Sequence, residues 1–240
     1  MPYLILSDIH SNLEALTAAL ADAQGRYDKI LCLGDLVGYG ADPELVVDWT
    51  RENVATVVRG NHDRACCGLE DLELFNPAAR LSAIWTRRAI SDETRLYLEQ
   101  LPQGPLTIDG FDLAHGSPFD EDEYLVNISD VMPHKSHLGP TLTFFGHTHV
   151  QGGFMVLPRG IRQISPEAPL EIDPQYKYLI NPGSVGQPRD RDPRAAYAIY
   201  TPETQTVEYR RVDYDIPAAA TKIMTAGLPQ ILAARLFEGV

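Results

Sequence analysis

The sequence has 240 residues, of which 44% are hydrophobic and 22% charged, and its formal net charge is −13 at pH 7. This composition is typical of a globular protein with a substantial core, and the acidity excludes a broad basic surface for bulk nucleic acid. The opening residues, MPYLILSDIHSN, lack a secretory signal, and no stretch approaches the roughly 18–20 apolar residues of a membrane span, so we expect a cytoplasmic protein without a membrane partner.

The first quarter of the chain alternates predicted strands and helices. In chain order we predict a strand at Tyr3–Leu6, a helix from Ser11 with a capping box to Glu14 and an end at Gly25, a strand at Lys29–Leu33, a helix begun by Asp42-Pro43 with Leu45, Val46 and Trp49 on its apolar face, and a strand at Thr56–Val58. Strand–helix–strand–helix–strand is typical of a parallel α/β unit.

The rest of the chain changes character. Residues 64–100 are predicted as a helical insert, and residues 217–240 as a helical tail. Between them, Asp109-Gly110 predicts a hairpin turn between two short strands, and LTFFGHTH, YKYLINPGSVG and AAYAIYTPETQTVEYRRV also indicate strands. We expect a single α/β domain over residues 1–240, in which two mixed β-sheets pack together with helices outside.

Five polar clusters each follow a predicted strand, at the end where α/β sheets gather ligands. They are Asp8-x-His10, Gly34-Asp35, Gly60-Asn61-His62-Asp63, His115-Gly116 and Gly146-His147-Thr148-His149. Residues i and i+2 of an extended chain point the same way, so Asp8 and His10 can share one ion. The two histidines at 147 and 149 have the same spacing, but a turn could send them to different ions.

The donor types in these clusters suit metal-assisted phosphoryl chemistry. Two divalent ions about 3.5–4 Å apart can clamp a phosphoryl group and activate water. Such a pair needs imidazole and carboxylate ligands, one carboxylate to bridge the ions, and neutral oxygen donors such as the amide of Asn61. Mixed nitrogen and oxygen ligands suit manganese, iron or zinc better than calcium.

In this order the motifs DxH, GDxxG, GNHD, HG and GHTH resemble those of the calcineurin-like metallophosphoesterase superfamily, and NPGSVGQPR resembles its small bacterial phosphodiesterases. The resemblance implies a four-layer α/β/β/α sandwich and a phosphoesterase with two divalent ions, manganese first and iron, zinc or magnesium otherwise. At matching positions it implies that Asp8, His10 and His149 hold one ion, that Asn61, His115 and His147 hold the other, and that Asp35 bridges them.

The resemblance also implies a general acid. His62 would stand beside the substrate in that role. Asp63 would either orient His62 or cap the helix that follows. Arg59 lies beside the metal motif and is a candidate phosphate ligand.

The substrate class depends on a departure from one branch of the family. Protein phosphatases of the superfamily carry GDxVDRG, whose arginine grips phosphate, whereas this chain has GDLVGYG at residues 34–40. That stretch is more similar to the subgroup acting on small phosphodiesters and dinucleoside polyphosphates. A protein phosphatase and a metal-binding scaffold with little activity remain the alternatives, and His62 within GNHD favours an enzyme over a scaffold.

Two further segments carry candidate substrate contacts. Residues 116–139 are a candidate substrate-selecting loop because they directly follow His115. The segment after NPGSVGQP carries Arg189, Arg191 and Arg194, which we expect to pair with Asp190 and Asp192. Asn181, Gly183 and Ser184 are expected to form a tight turn, with donation to a substrate as the alternative. The sequence does not indicate an oligomeric state.

Overall fold

A computed structural model describes residues 1–240 except for the side chain of Leu74. In chain order the strands are β1 (Tyr3–Leu6), β2 (Lys29–Cys32), β3 (Thr56–Val57), β4 (Leu106–Ile108), β5 (Phe111–Leu113), β6 (Leu142–Phe144), β7 (Gly152–Leu157), β8 (Gly160–Ile164), β9 (Leu170–Glu171), β10 (Lys177–Asn181), β11 (Ala195–Thr201) and β12 (Thr206–Val212).

The helices lie mainly at the two ends of the chain. They are α1 (Leu13–Ala23), α2 (Pro43–Asn53), α3 (Asn61–Cys67), α4 (Pro77–Ala89), α5 (Asp92–Glu99), α6 (Ile128–Val131), α7 (Ile216–Thr225) and α8 (Gln230–Glu238). Among the described residues, no helix combines the length and the apolar character needed to cross a membrane.

The described strands form two six-stranded sheets, and both are mixed. The first has the order β3-β2-β1-β11-β12-β9, with β1, β2 and β3 parallel and β11 antiparallel to β1. The second has the order β4-β5-β6-β10-β7-β8, with β5, β6 and β10 parallel. Parallel strands end at the same edge of a sheet, so the loops after β1, β2 and β3 meet, as do those after β5 and β6.

Period-two alternation along β1 explains the layers. Leu4 and Leu6 pack in a core shared with α1 and α2, whereas Tyr3 and Ile5 pack in a core shared with the second sheet. On the outer face of the second sheet, Val131 of α6 packs with strand residues of β7 and β10. This arrangement confirms the predicted four-layer α/β/β/α sandwich, although the fourth layer is thin.

The start of α1 differs from the prediction. The N-cap is Asn12, whose side chain accepts a hydrogen bond from the backbone N–H of Ala15. Ser11 has a left-handed backbone with φ 53°, and its N–H donates to the carbonyl of Leu36. Ser11 is therefore held by the loop that follows β2 and is unavailable as a cap.

Smaller differences follow from packing. Leu45 was predicted on the buried face of α2 but is exposed, because that face is formed by Val46, Val47 and Thr50. The strands β2 and β3 each end one residue before the predicted position. The hairpin at Asp109-Gly110 is confirmed, with φ values of 48° and 94° at the two turn residues, as a primed turn requires.

Candidate metal centre

The predicted metal ligands come together at one edge of the sandwich, in loops that follow strands of both sheets. Asp8 and His10 follow β1, Asp35 follows β2, Asn61 follows β3, His115 follows β5, and His147 and His149 follow β6. All of these residues are buried except Asn61, which is half-buried. The carboxyl ends of the strands thus position the ligands, as the sequence pattern indicated.

One group of donor atoms belongs to Asp8, His10, Asp35 and His149, and all four lie within 4.8 Å of one another. The Nε2 atoms of His10 and His149 are 3.2 Å apart. His149 Nε2 is 3.4 Å from Asp8 Oδ1. The group therefore offers two imidazole nitrogens and two carboxylates around one point.

A second group of donor atoms belongs to Asp35, His115 and His147. Asn61 joins it, because its Oδ1 is 3.2 Å from His115 Nε2. Asp35 is common to both groups: its Oδ2 is 3.5 Å from His10 Nε2 and also 3.5 Å from His115 Nε2. A carboxylate oxygen equidistant from two such groups has the placement of a bridging ligand.

Each of the four histidines is held by a backbone carbonyl on the ring nitrogen that faces away from the centre. The contacts are His10 Nδ1 to Val37 at 2.9 Å, His115 Nδ1 to Leu33 at 2.7 Å, His149 Nδ1 to Gln187 at 2.6 Å and His147 Nε2 to Asp122 at 3.2 Å. A carbonyl only accepts, so these nitrogens carry the protons. The nitrogens that converge on the centre then present lone pairs, as ligating histidines do.

The converging lone pairs and the burial fit a divalent cation. Two bare Nε2 atoms 3.2 Å apart repel one another unless a cation lies between their lone pairs. Asp8 Oδ1 is buried and, within the described chain, has no hydrogen-bond partner. Burial raises the pKa of Asp8 to about 7, and burial together with the nearby Asp63 charge raises the pKa of Asp35 well above its ordinary value. The raised pKa values favour the neutral carboxyl groups, whereas a bound cation would favour the carboxylates. The buried His/Asp cluster is therefore suited to divalent metal ions.

The ligand loops are turned rather than extended. Asp8, His10, Asp35, His147 and His149 have φ values of 52°, 50°, 53°, 65° and 59°. Left-handed backbone at non-glycine residues is sparsely populated and concentrates at functional sites. The expectation that extended backbone aligns Asp8 with His10 is wrong, since turns rather than an extended chain bring both into the first group. The turn through Thr148 sends His147 and His149 to different groups.

His62 lies in the first turn of α3, beside both groups. Its ring centroid is 4.9 Å from that of His10 and 4.4 Å from that of Tyr39. Burial is the main cause that lowers the pKa of His62 to about 3, and the Arg189 charge contributes to the same shift. The imidazole is therefore neutral while no anion lies beside it.

A cavity of about 290 Å³ opens next to His62. It reaches Asn61 and His147 of the second group, and Phe75 and Tyr124 form aromatic parts of its wall. The ring of Tyr124 lies 3.9 Å from the ring of His147. The cavity thus joins the metal centre to a partly apolar recess.

Asp63 bonds to backbone rather than to an imidazole. Its carboxylate accepts hydrogen bonds of 2.9 Å from the N–H groups of Asp35, Leu36 and Gly60. Within the described chain, none of its hydrogen bonds goes to His62. These contacts match the helix-cap alternative, and they also fix the loop that carries Asp35.

Arg59 points into the acidic loop. Its guanidinium donates to both oxygens of Glu121, at 2.9 and 2.8 Å, and to Gln103 at 3.2 Å. Arg64 on α3 pairs with the same Glu121 at 2.5 Å and with Asp122 at 2.7 Å. The two arginines therefore hold residues 116–139 against the centre, and phosphate contact by Arg59 would require it to leave Glu121.

The NPGSVG segment supports the ligand loops from behind. The Asn181 amide donates to the Gly146 carbonyl at 2.9 Å and to Thr148 Oγ1 at 3.0 Å. Ser184 Oγ donates to the Asp8 carbonyl at 2.8 Å. These residues form the expected turn and also brace two of the metal motifs.

The sequence interpretation missed Arg189 and Tyr39. Arg194 pairs with Asp192 at 2.6 Å as expected, but the expected pairing of Arg189 is wrong. The Arg189 N–H donates to the His149 carbonyl at 3.2 Å, and its guanidinium donates to the Tyr39 hydroxyl at 3.2 Å. The only sequence signal for either residue was its place inside a motif, GDLVGYG or NPGSVGQPR.

Comparison with known proteins gives a consistent result. Residues 1–205 match the family described as the calcineurin-like phosphoesterase superfamily domain. The chain is 38% identical over 243 residues to an uncharacterised protein of Methanocaldococcus jannaschii, MJ0912, with 98% of this chain and 97% of that protein covered. It is similar to the crystal structure of a metallophosphoesterase from Sphaerobacter thermophilus, with TM-score 0.87, 40% identity and coverage of 100% and 99% of the two chains. The crystal structure of the hypothetical protein PH1004 from Pyrococcus horikoshii OT3 has TM-score 0.77 at 22% identity, covering 100% and 98%, and shares the fold.

Proposed function

This chain belongs to the calcineurin-like phosphoesterase superfamily and is a hydrolase of phosphoester bonds, and we propose that it uses two metal ions to hydrolyse small phosphodiesters or dinucleoside polyphosphates. The observation that carries the two-ion proposal is the position of Asp35 Oδ2, 3.5 Å from one histidine nitrogen of each donor group. A single-ion site has no need of a carboxylate shared in this way.

The ligand assignment follows the two donor groups. Asp8, His10 and His149 would hold one ion, Asn61, His115 and His147 the other, with Asp35 between them. When bound, such ions polarise phosphoryl oxygens and lower the pKa of water, which is the chemistry that an in-line hydrolysis needs. Manganese is the first candidate for this mixed nitrogen and oxygen set, followed by iron, zinc and magnesium.

His62 would serve the leaving group. Its ring lies beside the His10 ring and lines the cavity, so it can donate a proton to the departing oxygen. A phosphate anion next to the imidazole favours the charged form and raises the pKa of His62 from its lowered value. Asp63 would not contact the substrate; it would hold the loop that carries Asp35 against the start of α3.

The cavity supports a small substrate. Its volume of about 290 Å³ is at the lower end of ligand pockets, which span roughly 300–1,000 Å³. Asp122 and Tyr124 of the 116–139 loop line it, which supports a role for this loop in substrate selection. A folded protein substrate would need a more open surface, and a mere scaffold would not need His62 at the mouth of the cavity.

Metal-dependent hydrolysis by the purified protein tests the proposal. Protein treated with a chelator to remove metal should not hydrolyse bis-nitrophenyl phosphate. Manganese should restore the activity more strongly than magnesium, zinc or iron. A panel of phosphomonoesters, phosphodiesters, cyclic nucleotides and dinucleoside polyphosphates then identifies the substrate class. Full activity in protein shown by elemental analysis to be metal-free would overturn the mechanism, and a strict preference for phosphoproteins would favour the protein phosphatase alternative.

A further inference from the structure

Arg189 brings a positive charge to a centre built from carboxylates and imidazoles. Its backbone is fixed to the centre, because its N–H donates to the carbonyl of His149. Its guanidinium donates to the Tyr39 hydroxyl at 3.2 Å, and its Cζ lies 5.7 Å from the Tyr39 ring centroid. The side chain is therefore held in place at one end by a metal motif and at the other by an aromatic ring.

The Arg189 guanidinium has a hydrogen-bond donor without an acceptor. Arg189 Nε is buried and has no hydrogen-bond partner within the described chain. Other arginines near the centre are satisfied by carboxylates, Arg59 and Arg64 by Glu121 and Arg211 by Asp190. Arg189 instead contacts a neutral phenol. A buried N–H without an acceptor is costly, and an anionic ligand would satisfy it.

Tyr39 links the Arg189 guanidinium to side chains of the metal centre. The Tyr39 ring lies 4.6 Å from the His10 ring as well as 4.4 Å from the His62 ring. The backbone N–H of Tyr39 donates to Ser82 Oγ at 2.5 Å, which holds the Tyr39 backbone against α4.

We propose that Arg189, positioned by Tyr39, binds a non-bridging oxygen of the substrate phosphoryl group at the metal centre. This inference rests on the proposed function and names a substrate-binding residue for it. A planar guanidinium matches the geometry of phosphate oxygens and makes charge-assisted hydrogen bonds to them. Arg189 contacts the substrate, whereas Tyr39 is a positioning residue that acts through it.

The test uses inorganic phosphate as the probe and metal-loaded protein. Phosphate affinity is measured by titration calorimetry, and metal content by elemental analysis. We expect Arg189→Met to weaken phosphate binding about 10- to 100-fold with metal content unchanged, because a hydrogen bond between two charged groups is lost. Arg189→Lys should keep part of the affinity, since the charge stays but the planar fork does not. Tyr39→Phe should lose less than Arg189→Met.

Arg194→Met is the matched control, because Arg194 lies in the same segment but pairs with Asp192. It should bind phosphate as the wild type does. The proposal is overturned if Arg189→Met binds phosphate with wild-type affinity, if it loses metal, or if the wild-type protein itself does not bind phosphate. If Arg189→Met does not fold, Arg189→Lys and Tyr39→Phe decide by the same measurement.

The same samples separate this inference from the proposed function. Manganese-dependent hydrolysis of bis-nitrophenyl phosphate by the wild type tests the function alone. If Arg189→Met loses phosphate affinity and the wild type is inactive, the anion site is supported and the proposed hydrolase function is refuted. If the wild type is active and Arg189→Met keeps its phosphate affinity, the proposed function is supported and the role of Arg189 is refuted.

Discussion

Gly38 and His62 are in direct contact: a Cβ at position 38 would come within 2.5 Å of His62 Nδ1. Gly38 also has φ +87°, a conformation that residues with side chains rarely adopt. The GDLVGYG stretch therefore needs glycine at this position for two reasons. One is backbone conformation, and the other is the space that the imidazole occupies.

Gly38→Ala should displace His62 and leave the metal ligands in place. We expect hydrolysis of an alkyl phosphodiester to fall by about 10²-fold or more, the usual range for a lost general acid, with metal content unchanged. Gly110→Ala is the control, because Gly110 has φ +94° but a Cβ there meets nothing within 4 Å. It should lose stability through backbone strain and keep full activity. Equal activity in the two variants would show that the contact with His62 is unimportant.

Asp35→Asn should lower occupancy of both ions, whereas Asp8→Asn should chiefly weaken one. Asp35 Oδ2 faces a histidine of each group, but Asp8 belongs to the first group alone. Asparagine tolerates left-handed backbone, so the change tests the ligand rather than the turn. Metal equivalents after dialysis against limiting manganese give the answer. His137→Ala, on the exposed part of the 116–139 loop, should keep both equivalents, and equal full occupancy in both aspartate variants would refute the assignment.

His62→Asn should separate chemistry from metal binding. A nitrophenolate departs without a proton, whereas an alkoxide needs one, so the loss should be small on the first ester and about 10²–10⁴-fold on the second. Metal content should stay at the wild-type level. Rates on a matched pair of nitrophenyl and alkyl diesters measure the bias. Equal losses on both esters would point to phosphate binding by His62, and metal loss would make it a ligand.

Asp63→Ala should destabilise the fold more than Asp63→Asn. The carboxylate satisfies buried N–H groups of Asp35, Leu36 and Gly60, and each unsatisfied buried donor costs about 1–3 kcal/mol. Asparagine keeps one acceptor oxygen. Urea unfolding of the metal-free variants should show the order wild type, Asn, Ala. Asp63→Asn should show no bias between leaving groups, since the observed bonds run to backbone; a clear bias would restore the role of orienting His62.

The clustering of these donors was predictable because the sequence places each of them in a segment that follows a strand. Asp8, Asp35 and Asn61 follow three neighbouring parallel strands, β1, β2 and β3, so they lie at the same edge of the sheet. The spacing of residues along the chain did not indicate which of them have positive φ. His10 and His149 have left-handed backbone, and their rings are held by carbonyls of distant segments, those of Val37 and Gln187.

Arg189 could not be placed from local sequence for the same reason. Its nearest acidic neighbours along the chain are Asp190 and Asp192, and short-range pairing is the natural expectation. The observed partner, Tyr39, is 150 residues away. That contact exists because β10 and β11 carry the NPGSVG segment past the end of β1, where the Gly186 N–H donates to the Asp8 carbonyl.

The position of β11 has a consequence for how the chain folds as it is synthesised. All the proposed metal ligands have been synthesised once residue 149 is made, yet β1 lacks its second neighbour until Ala195–Thr201 follows. Until then one edge of β1 has unpaired backbone groups, a state prone to pairing with other chains. A fragment ending at residue 149 would thus contain the ligands but leave the first sheet open along its middle strand.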